Sequence, residues 1–286
     1  MKIGVLGYDY GELDPDGPVI VEKGRARGHE MSFCTLEEVT CRARRTGGFD
    51  VLLGGEEAES FDAVLSRARL YGDDWRERAE KLELVSSVQG LPVFDPSDIY
   101  VMGHSKFLMA QRLAAAGLPV PPIRTATCLD DVAQACEEWG KTILKPSFGY
   151  GGTDVERICD PQADAEVAQT LIDRYGILVC QPWWPTKYGE FRLTIGGHAT
   201  CEAMFKLPPV GSWKCKTMEG ATFERIDPPA DLAEIAFRAA EVLDFTLAGV
   251  DLLPTPDGYV ILEVNPLPGL LNMLGDVSRH SLLMAV

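Results

Sequence analysis

The sequence predicts a mixed α/β and α+β protein of two or three lobes, on three observations. Over roughly the first hundred of its 286 residues, short apolar runs alternate with helical segments, the pattern of a small parallel α/β domain. Residues 142–146, an apolar strand that carries Lys145, run directly into a glycine-rich loop, Ser147-Phe148-Gly149-Tyr150-Gly151-Gly152-Thr153. Near the C-terminus, apolar runs 250–253 and 259–264 flank Pro254-Thr255-Pro256-Asp257-Gly258, which reads as a hairpin. A hydrophobic content of 46%, with 11 Phe and 5 Trp, is enough to fill the cores of such lobes.

Taken in order, residues 2–7 form a buried strand running into a polar loop, and a helix over 19–27 ends at Gly28. Strands are expected at 31–34 and 49–53, the latter closed by Gly54-Gly55 and completing the parallel sheet, with a further extended piece at 91–96. A helix over 103–116 carries Lys106 in its first turn and stops at Gly117. Prolines 119, 121 and 122 hold the next segment extended. A helix at 130–139, the Lys145 strand, a strand at 155–159, a helix at 163–174 and a buried strand at 177–181 follow. The last third reads as strands at 191–195 and 200–205, a strong helix at 231–243 and the hairpin.

Composition narrows the function. A net charge of -16 repels polyanions, so neither nucleic acid nor an anionic membrane is expected as a partner, and no stretch is apolar enough for a membrane span. Eight cysteines without a Cys-x-x-Cys pair read as reduced thiols, and the opening segment is too short and glycine-punctuated for a secretory signal. A cytoplasmic location is expected.

The chemistry concentrates in few residues. Side chains alternate along a strand, so Glu263 and Asn265 share a face, and Asp251 can project beside them from the paired strand. Three such oxygens suit Mg²⁺, which takes carboxylate and carbonyl ligands and keeps positions for phosphate and water; the same residues also suit the polar face of an ordinary hairpin. The glycine loop can lay backbone N–H groups over phosphates or be a simple hairpin tip, and it lacks the ending of a P-loop. A lysine on a buried strand, as Lys145 is, needs an anionic partner. Lys106 is a second candidate of that type, or a solvated surface residue. His29, His104, His198 and His280 lack metal-type spacing, although His104 lies two residues before Lys106. The acidic loop Asp9, Tyr10, Glu12 and Asp14 sits where α/β sheets bind ligands, and reads either as an amine-greeting segment or as a solvated loop.

From about Asp98 to Leu271 these motifs resemble the ATP-grasp superfamily, in its carboxylate–amine ligase branch that includes the ribosomal protein S6 modification enzyme, a carrier-protein lysine ligase and bacterial glutathione synthetase. They arrive in the family's order: Lys106, Leu144-Lys145-Pro146 with the glycine loop, Val179-Cys180-Gln181-Pro182-Trp183, Gly189-Glu190-Phe191-Arg192, Ala248-Gly249-Val250-Asp251, and Glu263-Val264-Asn265-Pro266. The resemblance implies three lobes: an N-terminal parallel α/β domain at 1–97, a small central α+β lobe at 98–181 and a C-terminal α+β lobe at 182–286. It also implies roles. Lys106 and Lys145 contact ATP phosphates under a loop that includes Ser147, Gly149, Gly151 and Gly152; Gln181, Trp183 and Trp184 frame adenine; Glu190 meets the ribose. Asp251, Glu263 and Asn265 hold Mg²⁺, with Mn²⁺ as an alternative ion, and Arg192 faces the transferred phosphate.

The implied reaction is ADP-forming: a carboxylate takes the γ-phosphate of ATP, and an amine displaces phosphate from the acyl-phosphate to leave an amide. Implied partners are ATP, an amino acid, short peptide or carrier protein, and a second copy of the chain in a homo-oligomer. A D-alanine:D-alanine-type dipeptide ligase and a catalytically silent ATP-binding regulator are the alternatives. The chain departs from its relatives at residues 206–220, where Lys206 and Lys214 stand in for arginines, Lys216 for asparagine and Glu219 for glycine. Lysine lacks the planar fork of arginine, so Lys206 and Lys214 read as substrate-facing residues of a retuned closing loop, or this is a mobile surface segment.

Overall fold

The computed structural model describes residues 1–8, 16–45, 47–70, 74–149, 151–185, 189–197, 200–215 and 220–269. The loop of Asp9, Tyr10, Glu12 and Asp14 lies outside them, as do Tyr150, His198, Lys216, Glu219 and His280.

The N-terminal third runs β1 (Lys2–Gly7), α1 (Asp16–Ala26), β2 (Glu30–Thr35), β3 (Val39–Ala43), β4 (Phe49–Leu53), β5 (Glu56–Glu57), β6 (Ala63–Ser66), α2 (Trp75–Ser86) and β7 (Val93–Phe94). A parallel sheet forms in the order β2-β1-β6-β7. The strand at 49–53 does not join it. Parallel neighbours need a long crossover, whereas Gly54 and Gly55, at φ +56° and +87°, turn the chain straight back so that Leu53 pairs with Glu56. That segment lies instead in an antiparallel sheet, β3-β4-β5.

The expected helix at 103–116 is two helices, α3 (Ser97–His104) and α4 (Lys106–Ala115), broken at Ser105. The Ser105 hydroxyl accepts from the Leu108 N–H and caps α4. Then follow β8 (Arg124–Ala126), α5 (Leu129–Trp139), β9 (Thr142–Pro146), β10 (Glu156–Ile158), α6 (Ala165–Tyr175) and β11 (Leu178–Pro182). These strands make an antiparallel sheet in the order β10-β9-β11-β8. Val132 and Ala135 of α5 and Ala168, Leu171 and Ile172 of α6 pack against its Leu144, Leu178 and Cys180.

The remaining elements are β12 (Glu190–Gly196), β13 (Thr200–Leu207), β14 (Thr222–Ile226), α7 (Ala230–Leu243), β15 (Leu247–Thr255) and β16 (Gly258–Asn265). They form an antiparallel sheet, β14-β13-β12-β15-β16. Leu232, Ala236, Ala239, Ala240 and Leu243 recur at helical spacing and bury one face of α7 on Leu193, Ile195, Val250 and Leu252. Small alanines let the helix approach closely. Ile99, Met109 and Leu113 of α3 and α4 join the same core, so this pair packs with the C-terminal sheet. Among the described residues no helix is long and apolar enough to cross a membrane.

Candidate active site

The site lies at a cavity of about 700 Å³, in the size range of small-molecule pockets. With the single exception of Ser147, every site residue expected from the sequence lines it: Lys106, Lys145, Gly149, Gly151, Gly152, Gln181, Trp183, Trp184, Glu190, Arg192, Lys206, Lys214, Asp251, Glu263 and Asn265. Ser147 contributes its backbone, since its carbonyl accepts from the Lys106 N–H at 2.9 Å.

The break between α3 and α4 anchors the glycine loop. Ser105 bridges Phe148, the Gly149 N–H donates to the His104 carbonyl at 3.1 Å, and Lys106 Nζ donates to the Gly149 carbonyl at 2.8 Å. Gly149, at φ +139°, has open space where a Cβ would sit, so the backbone conformation rather than crowding requires glycine there. Lys145 points from buried β9 into the same space. Burial, and then the charge of Lys106, bring its ammonium down to about 8, against the opposing pull of Glu263 and Glu190. Two lysines that repel each other in a buried cleft are suited to receive an anion.

On the opposite wall Asp251 gathers the charges. It faces Arg192 across the β12–β15 pairing and Glu263 across the β15–β16 pairing. Arg192 grips it with both arms of its fork, Nε to Oδ1 at 2.8 Å and Nη2 to Oδ2 at 2.6 Å. Lys206 Nζ adds a bond to Oδ1 at 2.8 Å and pairs with Glu190 Oε2 at 2.9 Å. Burial alone would raise the Asp251 pKa; Arg192 and Lys206 outweigh it and hold the carboxyl at about 2. An added Cβ at position 249 would lie 2.5 Å from Arg192 Nη1, so a side chain there would push the guanidinium off its seat on Asp251.

The donor set at the β15–β16 edge is two carboxylates and an amide, all oxygen ligands of the kind hard divalent ions take. Among the described residues no three His, Cys, Asp or Glu side chains cluster as a metal site, so any ion here depends on Asn265 and on phosphate or water to complete its shell. Asp251 serves Arg192 and Lys206, and Asn265 Oδ1 accepts from the Leu267 N–H at 2.8 Å while keeping a second lone pair. The residues fit Mg²⁺ with Glu263 as the carboxylate not committed to a cation among the described ion pairs. At the far end, the indole N–H of Trp183 is buried without a hydrogen-bond acceptor among the described residues, as a wall built for a polar ligand would leave it.

Sequence reasoning missed Tyr175, Trp213, Cys215 and Phe223, which also line the cavity. Cys215 sits beside Glu190, and burial and that carboxylate push its thiol up to about 12. No motif marks these positions: Trp213 and Cys215 reach the cavity from a loop, while Tyr175 ends α6 and Phe223 lies on β14. Lys214 is on the wall but turned to the central sheet, its Nζ 3.3 Å from Glu156 Oε1.

A model of the family described as RimK-like ATP-grasp domain matches residues 103–278. A probable alpha-L-glutamate ligase of Xanthomonas euvesicatoria pv. vesicatoria (strain 85-10) is 27% identical over 255 residues, covering 88% of this chain and 85% of that protein. Among solved structures, a RimK domain protein ATP-grasp from Sphaerobacter thermophilus DSM 20745 superposes with a TM-score of 0.68 at 21% identity, over 99% of this chain and 96% of that one. The ATP-grasp ligase PsnB, complexed with minimal precursor, Mg and ADP, gives 0.70 at 21% identity over 93% and 89%. At these identities the two structures demonstrate a shared fold.

Proposed function

This chain belongs to the RimK-like ATP-grasp family and is an ATP-dependent carboxylate–amine ligase, and within that activity we propose that it activates a carboxylate as an acyl-phosphate and joins it to an amino acid. The observation that carries this reading is the convergence of Lys106, Lys145, Arg192 and Lys206 with the oxygens of Asp251, Glu263 and Asn265 on one cavity. Phosphoryl transfer is helped mainly by positioning and charge neutralisation, and this inventory supplies both.

In the proposed arrangement adenine lies against Trp183 and Trp184, with Gln181 near its edge and Glu190 near the ribose. Lys106 and Lys145 hold the phosphates beneath the glycine loop. Glu263, Asn265 and Asp251 would hold Mg²⁺, or Mn²⁺ in its place, which when bound would supply positive charge beside the phosphates. A substrate carboxylate oxygen attacks the γ-phosphorus, the bond to the β-phosphate oxygen breaks, and ADP leaves. Arg192 and Lys206 neutralise charge on the transferred group and then on the acyl-phosphate. An amine nitrogen adds to the acyl carbon, phosphate departs with the carbon–oxygen bond, and the nitrogen loses a proton to leave the amide. We assign this work to the cytoplasm, where ATP and reduced thiols coexist.

The relative's name makes L-glutamate the first amino acid to test, and the PsnB complex makes a peptide the first alternative. The experiment is an ADP-release screen across amino acids, peptides and carrier proteins, with product masses measured. ADP and phosphate released only when carboxylate and amine are both present, with an amide product, is the expected result. ADP released at the same rate without either substrate would overturn it.

A further inference from the structure

Residues 208–215, which follow β13, reach across the cavity to the central sheet. Arg157, on β10, sets its guanidinium carbon 4.8 Å from the ring centre of Trp183 and 5.6 Å from that of Trp213. Trp183 follows β11 of the central sheet, whereas Trp213 belongs to the β13–β14 connection of the C-terminal sheet. One residue earlier on β10, Glu156 pairs with Lys214, whose ammonium also lies 5.2 Å from the Trp213 ring. Trp183, Trp213 and Lys214 line the cavity and Arg157 does not. One aromatic–cation–aromatic stack and one ion pair therefore join the two sheets across the opening. The backbone suits a moving arm: Pro208 and Pro209 stiffen its root, and Gly211, at φ +85°, follows them in a turn closed by the Ser212 N–H on the Pro209 carbonyl at 2.9 Å.

We propose that Arg157 is a positioning residue that latches the 208–215 connection over the bound nucleotide, acting through Trp213 and Trp183 rather than by touching the substrate. This inference rests on the cavity being the nucleotide site. A guanidinium is suited to the task because its flat, weakly hydrated face stacks on indole while its charge is attracted to the ring. The Glu156–Lys214 pair is partly exposed to solvent and adds less. With the stack broken, the arm swings outward, nucleotide escapes faster and Trp213 becomes open to solvent.

The test uses the full chain and its Arg157→Met and Arg157→Lys variants, each made also with Trp213→Phe. Acrylamide quenching of tryptophan fluorescence in the ligand-free protein reads the arm, and calorimetric titration with a non-hydrolysable ATP analogue and Mg²⁺ reads nucleotide retention. Arg157→Met should raise quenching in a way that disappears in the Trp213→Phe background. It should also weaken analogue binding about tenfold, the loss expected for two cation–π contacts, with Arg157→Lys in between. Unchanged quenching in a folded Arg157→Met or Arg157→Lys protein overturns the latch. Altered quenching with unchanged analogue affinity also overturns it, since the arm would then not retain nucleotide. If the unmodified chain fails to bind the analogue, the nucleotide reading of the cavity fails, and with it the positioning role, whatever the quenching shows.

Discussion

Asp251 organises the charges of the cleft, and glycine 249 makes room for its strongest partner. A buried carboxylate held by Arg192 and Lys206 is costly to break from either side, because removing one partner leaves the other charge buried and unmatched. Gly249→Ala leaves every charge in place but drives a methyl into Arg192 Nη1, so it tests position alone. It should lower kcat about 10- to 100-fold in a protein that still folds, as misplacement of a positioned group does; near-normal steady-state turnover would show that the Arg192 geometry is not critical. Lys145 gives a second test. In the proposed arrangement its charged form holds phosphate, and the free protein releases that proton as pH rises through about 8. A profile of kcat/KM for ATP should therefore fall above pH 8, and Lys145→Arg should move that limb upward. A flat profile to pH 9.5 would contradict it. At this scale the site was legible wherever chemistry forces residue type: a lysine on an apolar strand, or oxygens at period two. Tyr175 and Phe223 were not, since an aromatic on a cavity wall looks in sequence like any core aromatic.

At the scale of elements, legibility followed the strength of the pattern. The helix at 231–243 and the strand at 142–146 stand where periodicity put them, because each buries a clear apolar face or run. The helix α2 escaped notice: of its charged sequence only Leu82 and Val85 are buried. Of the short strands that also escaped, β8 pairs with β11 far along the chain, whereas β3 and β14 pair with their neighbours β4 and β13 but bury almost no side chain and so show no apolar run. Asp95, at the end of β7, shows such a long-range tie. It is buried at φ +60°, and its Oδ1 accepts from the Thr246 N–H at 3.0 Å, joining the parallel sheet to the start of β15. Burial raises its pKa to about 7, against the hydrogen bonds from Thr246 and Leu247 and the charge of Arg67. Because the folded value lies above the unfolded one, this proton stabilises the fold at low pH, and that contribution is lost as pH rises from about 4 through about 7. Asp95→Asn keeps an acceptor oxygen and tolerates positive φ. It should therefore raise Tm by a few degrees at pH 8 and leave it nearly unchanged at pH 4. Equal shifts at both pH values in thermal melts would refute the assignment.

Over the whole molecule, the net charge of -16 and a cation-lined cleft serve different ends. The acidic exterior disfavours polyanions, while in the proposed arrangement the buried lysines and arginine attract a single nucleotide at short range. We propose the division 1–97, 98–181 and 182–286 as the working domain boundaries, with α3 and α4, which belong to the second segment, packed in the core of the third and tied to the glycine loop through Ser105 and Phe148. A ligand held by residues from both sheets should stabilise the fold as a unit, so saturating Mg²⁺ and ATP analogue at about 100 times Kd should add roughly 2.7 kcal/mol. Denaturant titrations with and without ligand measure this, and no change at saturation would argue against a shared site.

The most direct test of the central claim is substrate-dependent ADP release by the wild-type chain and by Glu263→Gln, measured side by side with Mg²⁺ present. Glu263 lines the cavity at the oxygen edge, and the substitution keeps its shape while removing the charge that a divalent ion needs. Release of ADP by the wild type only with carboxylate and amine, and loss of most of that turnover in a folded Glu263→Gln protein, is the predicted result. Near-normal, Mg²⁺-dependent turnover in the folded variant would contradict it.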